Sequence, residues 1–192
     1  MDIYSETKTA MHRQNKISKK SLDSEGHLSQ LPEEAFLTDF EFSLERSIHA
    51  FYRWKEACMK AVHDVGMSGH DVAVLNVLRM MDQPKSRQQL ANLLNRDDTS
   101  NLQYALRKLL RAGLIEKADA TSRKNTTYRT TLAGQKVTDK YADLRRQLLT
   151  NSPIQSLPSI EELKRVTAIL DELSIKYSVA ERLASAPRSK NS

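Results

Sequence analysis

One cysteine in 192 residues, Cys58, leaves no internal disulfide framework, which suits a reducing cytoplasm. With no second cysteine to resolve a sulfenic acid and with Ala57, Met59 and Ala61 around it, Cys58 reads as a small buried residue rather than a redox switch. Only five glycines and five prolines interrupt the chain, so helices can dominate it. No phosphate-cradling glycine loop, HExxH pattern or activated nucleophile is present, and enzymatic activity is not expected. His49, His63 and His70 lack an i, i+4 spacing and a cysteine to join them, so neither a metal nor a cofactor is expected. No uncharged apolar run approaches the ~20 residues of a membrane span, and no apolar core follows the first charges as in a signal peptide. The expectation is a cytoplasmic protein with no membrane partner.

What the chain does have is positive charge, and it is concentrated. The net charge is +6 with a pI near 9.4, which calls for a polyanionic partner. Between Pro84 and Lys136 stand eleven Lys or Arg against four Asp or Glu, a surplus of +7, so one stretch holds all of the excess. In it, Ser86 and Gln89 have the reciprocal spacing of a capping box, and the helix they open carries Leu90, Ala91, Leu93 and Leu94 on one side. The polar run Asn95 to Asp98 forms a turn, and an aspartate there caps a second helix to about Ala112, stopped by Gly113. Leu102, Ala105, Leu106, Leu109 and Leu110 form its buried stripe. Its outward residues are then Thr99, Ser100, Asn101, Gln103 and Tyr104, suited to base edges in a major groove, followed by Arg107, Lys108 and Arg111, suited to phosphates. Ser86 joins the DNA-facing set at the start of the preceding helix.

After Gly113, Leu114 to Lys117 and Tyr128 to Thr131 read as two strands, with Arg123 and Lys124 near the tip that joins them. A basic hairpin beside such a helix is a wing, and these two cations suit a minor groove or its phosphates. QQLANLL, a turn with aspartate, LRKLLRAGLIEK, a basic wing and TLAGQK together resemble the MarR family of winged-helix transcription regulators over Ser86 to Lys136. The resemblance implies a DNA-binding homodimer. It also implies a small aromatic or anionic effector held between the DNA-binding part and the dimer helices, where Phe51, Tyr52, Trp54 and Met67 would border the cleft.

The flanks complete a mainly α fold: a winged helix-turn-helix with a small β-hairpin wing and flanking dimerisation helices. Residues 1–33 read as a disordered basic arm, in which Lys8, Arg13, Lys16, Lys19 and Lys20 lie in a stretch without acids. Residues 34–83 read as two helices for dimerisation and support. The first runs from Glu34 to about Val65, stopped by Gly66, with Phe40, Leu44, Ile48, Phe51, Cys58, Val62 and Val65 on its apolar side. The second is capped by Ser68 and Asp71, with Val72, Val74, Leu75, Leu78 and Met81 as its stripe. Residues 84–136 are the DNA-binding core and 137–185 the C-terminal dimerisation helices. The first of these runs from Thr131 through Leu149. The second opens at Ser159 and carries Leu163, Val166, Leu170, Leu173, Tyr177 and Ala180 at alternating three and four spacing, a seam that asks for a partner helix and is assigned, with the first long helix, to a homodimer interface; the alternative is a helix that folds back on its own domain. Residues 186–192 read as a flexible tail.

The function expected is therefore a sequence-specific, homodimeric regulator on a palindromic site in double-stranded DNA. The alternative is a winged-helix protein-interaction module without sequence-specific DNA binding, which would need no such concentration of positive charge.

Overall fold

The computed structural model describes residues 26–119, 126–151 and 157–186. They form α1 (Pro32–Val62), α2 (Gly69–Arg79), β1 (Lys85–Ser86), α3 (Arg87–Leu93), α4 (Thr99–Arg111), β2 (Ile115–Asp119), β3 (Thr127–Thr130), α5 (Leu132–Arg145) and α6 (Ile160–Ser185). The strands make one antiparallel sheet in the order β1-β3-β2, with Tyr128 paired to Lys85 on one side and Lys117 on the other. Two compact units are present, one ending at Tyr141 and the other beginning at Ala142.

Local signals explain most of the boundaries. Ser68, Ser86 and Ser159 each accept from the backbone N–H three residues on, while Asp71, Gln89 and Glu162 answer the capping residue's own N–H. At the start of α4 the Asp98 carboxylate accepts from the N–H groups of Ser100 and Asn101 at 3.1 and 3.0 Å. Those backbone bonds, Asn101's first, hold the Asp98 carboxyl below the usual carboxylate range. Gly113 at φ +67° ends α4 and turns the chain into β2.

The core of the first unit lies where α2 packs on α1, α3, α4 and β3. Val72, Leu75 and Leu78 of α2 and Leu102, Leu106 and Leu109 of α4 are buried, joined by Leu90, Leu114 and Ile115. Each such side chain contributes roughly 1.5–3 kcal/mol by leaving water. The buried Cys58, its thiol pushed up by desolvation, and Met59 bring the end of α1 into the same core. That thiol is held in its unreactive protonated form.

Several expectations are corrected. Order begins before the predicted arm ends: Ser29 is buried, its hydroxyl donates to Thr38 Oγ1, and α1 starts at Pro32 with the Glu34 carboxylate accepting from Leu31 N–H. Lys8, Arg13, Lys16, Lys19 and Lys20 lie outside the described residues. Helix α1 stops at Val62, and Gly66, at φ +60°, lies in the connection to α2 rather than at the helix end. Met81 leaves the predicted stripe: α2 ends at Arg79, and Met81 takes φ +59° with 76% of its surface exposed. Leu93 is also exposed, and a π-helical turn, Arg146–Thr150, follows α5.

The two-residue strand β1 has no periodicity and was not expected. Lys85 forms it and is buried, its ammonium donating to the carbonyls of Leu78, Met80 and Gln83 at the end of α2. A cation among those carbonyls is favoured by the helix macrodipole, and desolvation lowers its pKa. The residue therefore ties the sheet to α2 and is not available to DNA.

In the second unit, α6 buries none of its residues within the chain. Leu163, Val166, Leu170 and Tyr177 are exposed along it.

Candidate nucleic-acid interface

At 3.6 residues per turn, the buried face of α4 sets its outer face. With Leu102, Ala105, Leu106 and Leu109 turned into the core, Ser100, Gln103, Tyr104, Arg107 and Arg111 stand outward and are exposed. Tyr104 exposes 58% of its surface and does not pack into the neighbouring turn. These residues present a hydroxyl, an amide and a phenol toward the first two turns of the helix and guanidinium groups farther along. Such a surface can read base edges and hold phosphates.

Two predicted contact residues behave differently. Asn101 and Lys108, seven positions apart, sit about a quarter turn round from that stripe. The Asn101 amide donates one N–H to the Asp98 carboxylate within the N-cap, which leaves its second N–H and its carbonyl oxygen for any contact outside. The Lys108 ammonium lies 2.7 Å from Asp71 Oδ2, with the Asp71 side chain only 5% exposed. Lys108 thus fastens α4 to the first turn of α2 instead of reaching outward as a free phosphate contact. A lysine on a helix surface gives no sign in sequence of a carboxylate 37 positions away.

The remaining assignments divide in the same way. The Ser86 hydroxyl accepts from Gln89 N–H at 3.2 Å, and its O–H is still able to donate. Thr99 opens α4, but its side chain lies outside the described residues, as do Arg123 and Lys124. Arg129 of the wing is paired with Glu116 at 2.7 Å.

Arg87, Arg107 and Lys117 have no ion-pair partner among the described residues, and they meet in one place. A cleft of about 560 Å³ opens between α4 and the β2–β3 sheet, lined by these three cations with Gln103, Thr126 and Tyr128, and floored by Leu106 and Leu110. Arg87 and Lys117 were missed as site residues in the sequence because one lies in the α3 helix and the other in a strand, and only the tertiary fold joins them to Arg107. Among the described residues, no acidic side chain lines the cleft.

Three of the expected effector residues, Phe51, Tyr52 and Trp54, lie on α1, and Met67 lies in the connection to α2. Phe51 and Tyr52 pair at a ring distance of 6.4 Å, with the Lys55 ammonium 4.0 Å from the Phe51 centroid and the His70 ring 4.3 Å from that of Tyr52 at a tilt of 42°. Burial, then Arg96 and Lys55, lower the His70 pKa against the opposing effect of Asp71 and Glu56. Trp54, two residues beyond Tyr52, points roughly 160° away from it around the helix. Met67 borders another cavity, with Arg53, Glu56, Ala57 and Lys60.

Residues 67–134 match a family described as winged helix DNA-binding domain. Three solved structures are similar in fold. The MarR family transcription regulator SP03579 is 18% identical, covering 80% of this chain and 97% of that one at a TM-score of 0.55. A MarR/EmrR family transcriptional regulator from Acinetobacter sp. ADP1 is 16% identical, covering 72% and 94% at 0.55. RV1404 from Mycobacterium tuberculosis is 20% identical, covering 70% and 91% at 0.53. No curated protein matches the sequence.

Proposed function

We propose that this chain, which carries a winged helix DNA-binding domain on the fold of the MarR-family regulators, is a sequence-specific double-stranded DNA-binding transcription regulator acting as a homodimer on a palindromic operator. The observation that carries the reading is α4: its apolar side is locked into the core while an uninterrupted polar stripe from Ser100 to Arg111 faces solvent within the most basic stretch of the chain. In the major groove, Ser100, Gln103 and Tyr104 would meet base edges, and Gln103 can pair bidentately with adenine, worth about 1–3 kcal/mol of discrimination.

Selection of bound fragments from random duplex DNA should enrich an inverted repeat with half-sites about one helical turn, ~10 bp, apart. Binding to the winning site should fall steeply with salt. Failure to enrich any repeat, together with weak salt dependence, would leave the protein-interaction module as the better account.

The homodimer is supported by helices without enough to pack on. A 26-residue helix that buries no residue in its own chain has little to stabilise it, because isolated helices are marginal in water. On α1, Ile48 and Phe51 are likewise exposed, and Phe40 and Leu44 are only half-buried. A second copy would cover such faces symmetrically. Sedimentation equilibrium should give twice 21.9 kDa for the wild type, and Leu163→Asp with Leu170→Asp should reduce it to a single chain with loss of operator binding. A monomeric wild type at micromolar concentration would refute the dimer.

A further inference from the structure

A second cleft, of about 630 Å³, opens where the turn after α2, the β2–β3 pair and the first turn of α5 come together. Among the described residues, none from α4 lines it. Its volume falls within the usual range of small-molecule sites, ~300–1,000 Å³.

The charged groups that line this cleft each keep a free end. Arg129 donates through Nε to Glu116 Oε1 at 2.7 Å, so its two terminal nitrogens and Glu116 Oε2 have no partner among the described residues. Asp82 accepts from Arg79 through Oδ1 at 2.9 Å, which leaves Oδ2 over. The Asp82 backbone stands at φ +50°, directly after Met81 at +59°, so two consecutive non-glycine residues hold a left-handed conformation where that carboxylate meets the cleft. Backbone of this kind costs roughly 1–3 kcal/mol per residue and gathers at ligand clamps.

Neutral groups are left over as well. At the start of α5, Thr131 takes the N–H of Gly134 with its hydroxyl and that of Gln135 with its carbonyl, while the N–H groups of Leu132 and Ala133 have no acceptor among the described residues. Thr130 lines the cleft too. It is only 6% exposed, yet its hydroxyl makes no hydrogen bond among the described residues. Buried polar groups are nearly always partnered, so this exception calls for a molecule in the cleft.

Charge selects the class of that molecule. Arg129 is balanced by Glu116 and Asp82 by Arg79, so a bare anion or a bare cation would bring a charge with no counter-charge waiting for it. A net-neutral molecule with one carboxylate and one ammonium brings none. Its carboxylate matches the guanidinium fork of Arg129 and the positive end of α5, and its ammonium matches the spare oxygens of Asp82 and Glu116. Leu132 and Ala133 offer apolar surface to its remaining carbons.

We propose that this cleft binds a free amino acid as the zwitterion, its carboxylate held by Arg129, the Thr130 hydroxyl and the N–H groups of Leu132 and Ala133, and its ammonium by Asp82 and Glu116. The site shares no residue with the outer face of α4, so it stands or falls apart from the DNA-binding reading.

The test uses the full chain and each of the twenty L-amino acids at about 5 mM in thermal scans at constant ionic strength, followed by titration calorimetry of those that raise the midpoint. At least one should raise it. That amino acid should bind at least tenfold more tightly than the amine lacking its carboxylate and than the acid lacking its ammonium. Arg129→Gln and Asp82→Asn should each weaken it at least tenfold. Both variants should fold, because the Arg129–Glu116 pair is exposed and worth little to stability, and asparagine takes a left-handed backbone as readily as aspartate. Arg165→Gln on exposed α6 should change nothing. No midpoint shift with any of the twenty would overturn the proposal. Equal affinity for the amine would mark a cation site and equal affinity for the acid an anion site, and either would overturn it. Wild-type affinity in both variants would put the amino acid elsewhere on the chain, with the same consequence.

Discussion

Gly134→Ala should lower the thermal midpoint by roughly 6–12 °C, the largest loss expected from a single methyl group in this chain. A Cβ at Gly134 would stand 2.0 Å from the carbonyl oxygen of Leu114 and 2.9 Å from its carbonyl carbon, distances that real contacts never reach. The obstruction is backbone, and it is pinned. Leu114 is buried, its carbonyl accepts from Thr131 N–H at 3.0 Å, and the Thr131 hydroxyl donates to the Gly113 carbonyl at 2.7 Å while accepting from Gly134 N–H at 3.1 Å. The first turn of α5 therefore rests directly on the chain entering β2, and an added carbon must push the two apart. Overpacking of this kind costs typically 1–3 kcal/mol and more where a rotamer change cannot relieve it, so about 3 kcal/mol is expected. For a chain of this size each kcal/mol is worth about 2–4 °C. Gly113→Ala, where the Cβ meets nothing within 4 Å but φ is +67°, should lose only about 1–2 kcal/mol through backbone strain. Thermal scans of the two variants decide the matter: a Gly134→Ala midpoint equal to the wild type, or above that of Gly113→Ala, would contradict this account of the α5 junction.

Asp71→Ala should cost about 2–4 kcal/mol, because one carboxylate performs two tasks. It completes the α2 capping box by accepting from Ser68 N–H at 2.9 Å and holds Lys108 of α4 at 2.7 Å. The upper end of the range for a broken buried pair is not reached, since Lys108 retains 29% exposure and can be partly hydrated. Lys108→Met should damage DNA binding in a recognisable way. Affinity falls because α4 is no longer held to α2, but the salt slope stays at the wild-type value because no phosphate contact is lost. A slope flattened by about 0.9 would make Lys108 a phosphate ligand after all.

The same pair has a pH signature. Desolvation raises the Asp71 pKa, but the Lys108 bond and the two Ser68 bonds outweigh it, and the net effect holds the carboxyl below its ordinary 3.8. A folded value below the unfolded one means that the stabilisation is fully present above about pH 3.8 and disappears as the pH falls through the lowered folded value. Urea midpoints followed downward from neutral pH should drop through that window in the wild type. They should drop less in Asp71→Asn, which has no carboxyl there to titrate. Parallel curves for the two proteins would show that the pair contributes nothing to stability.

The features legible from residues alone are those whose physics closes within a turn or two of helix. A serine reaches the N–H three residues ahead of it, so the starts of α2, α3 and α6 are written locally, as is the stop at Gly113. The outward stripe of α4 follows from where its leucines must go. Periodicity failed at element ends. Met81 and Leu93 continue the apolar pattern of their helices past the point where those helices have a core to face, and β1 is too short to have a pattern.

Amino-acid order, through helical periodicity, capping chemistry and the clustering of positive charge, was enough to specify a winged helix-turn-helix and the helix that presents its polar surface. Which cations remain free to meet an anion was decided in three dimensions. Lys85, Lys108 and Arg129 look no different in sequence from Arg87, Arg107 and Lys117, but folding brings carbonyls or carboxylates to the first three and a common cleft to the others. The reason is range: a side chain's charge is readable from its identity, whereas its neutralisation depends on groups carried there by other elements, up to 37 residues away.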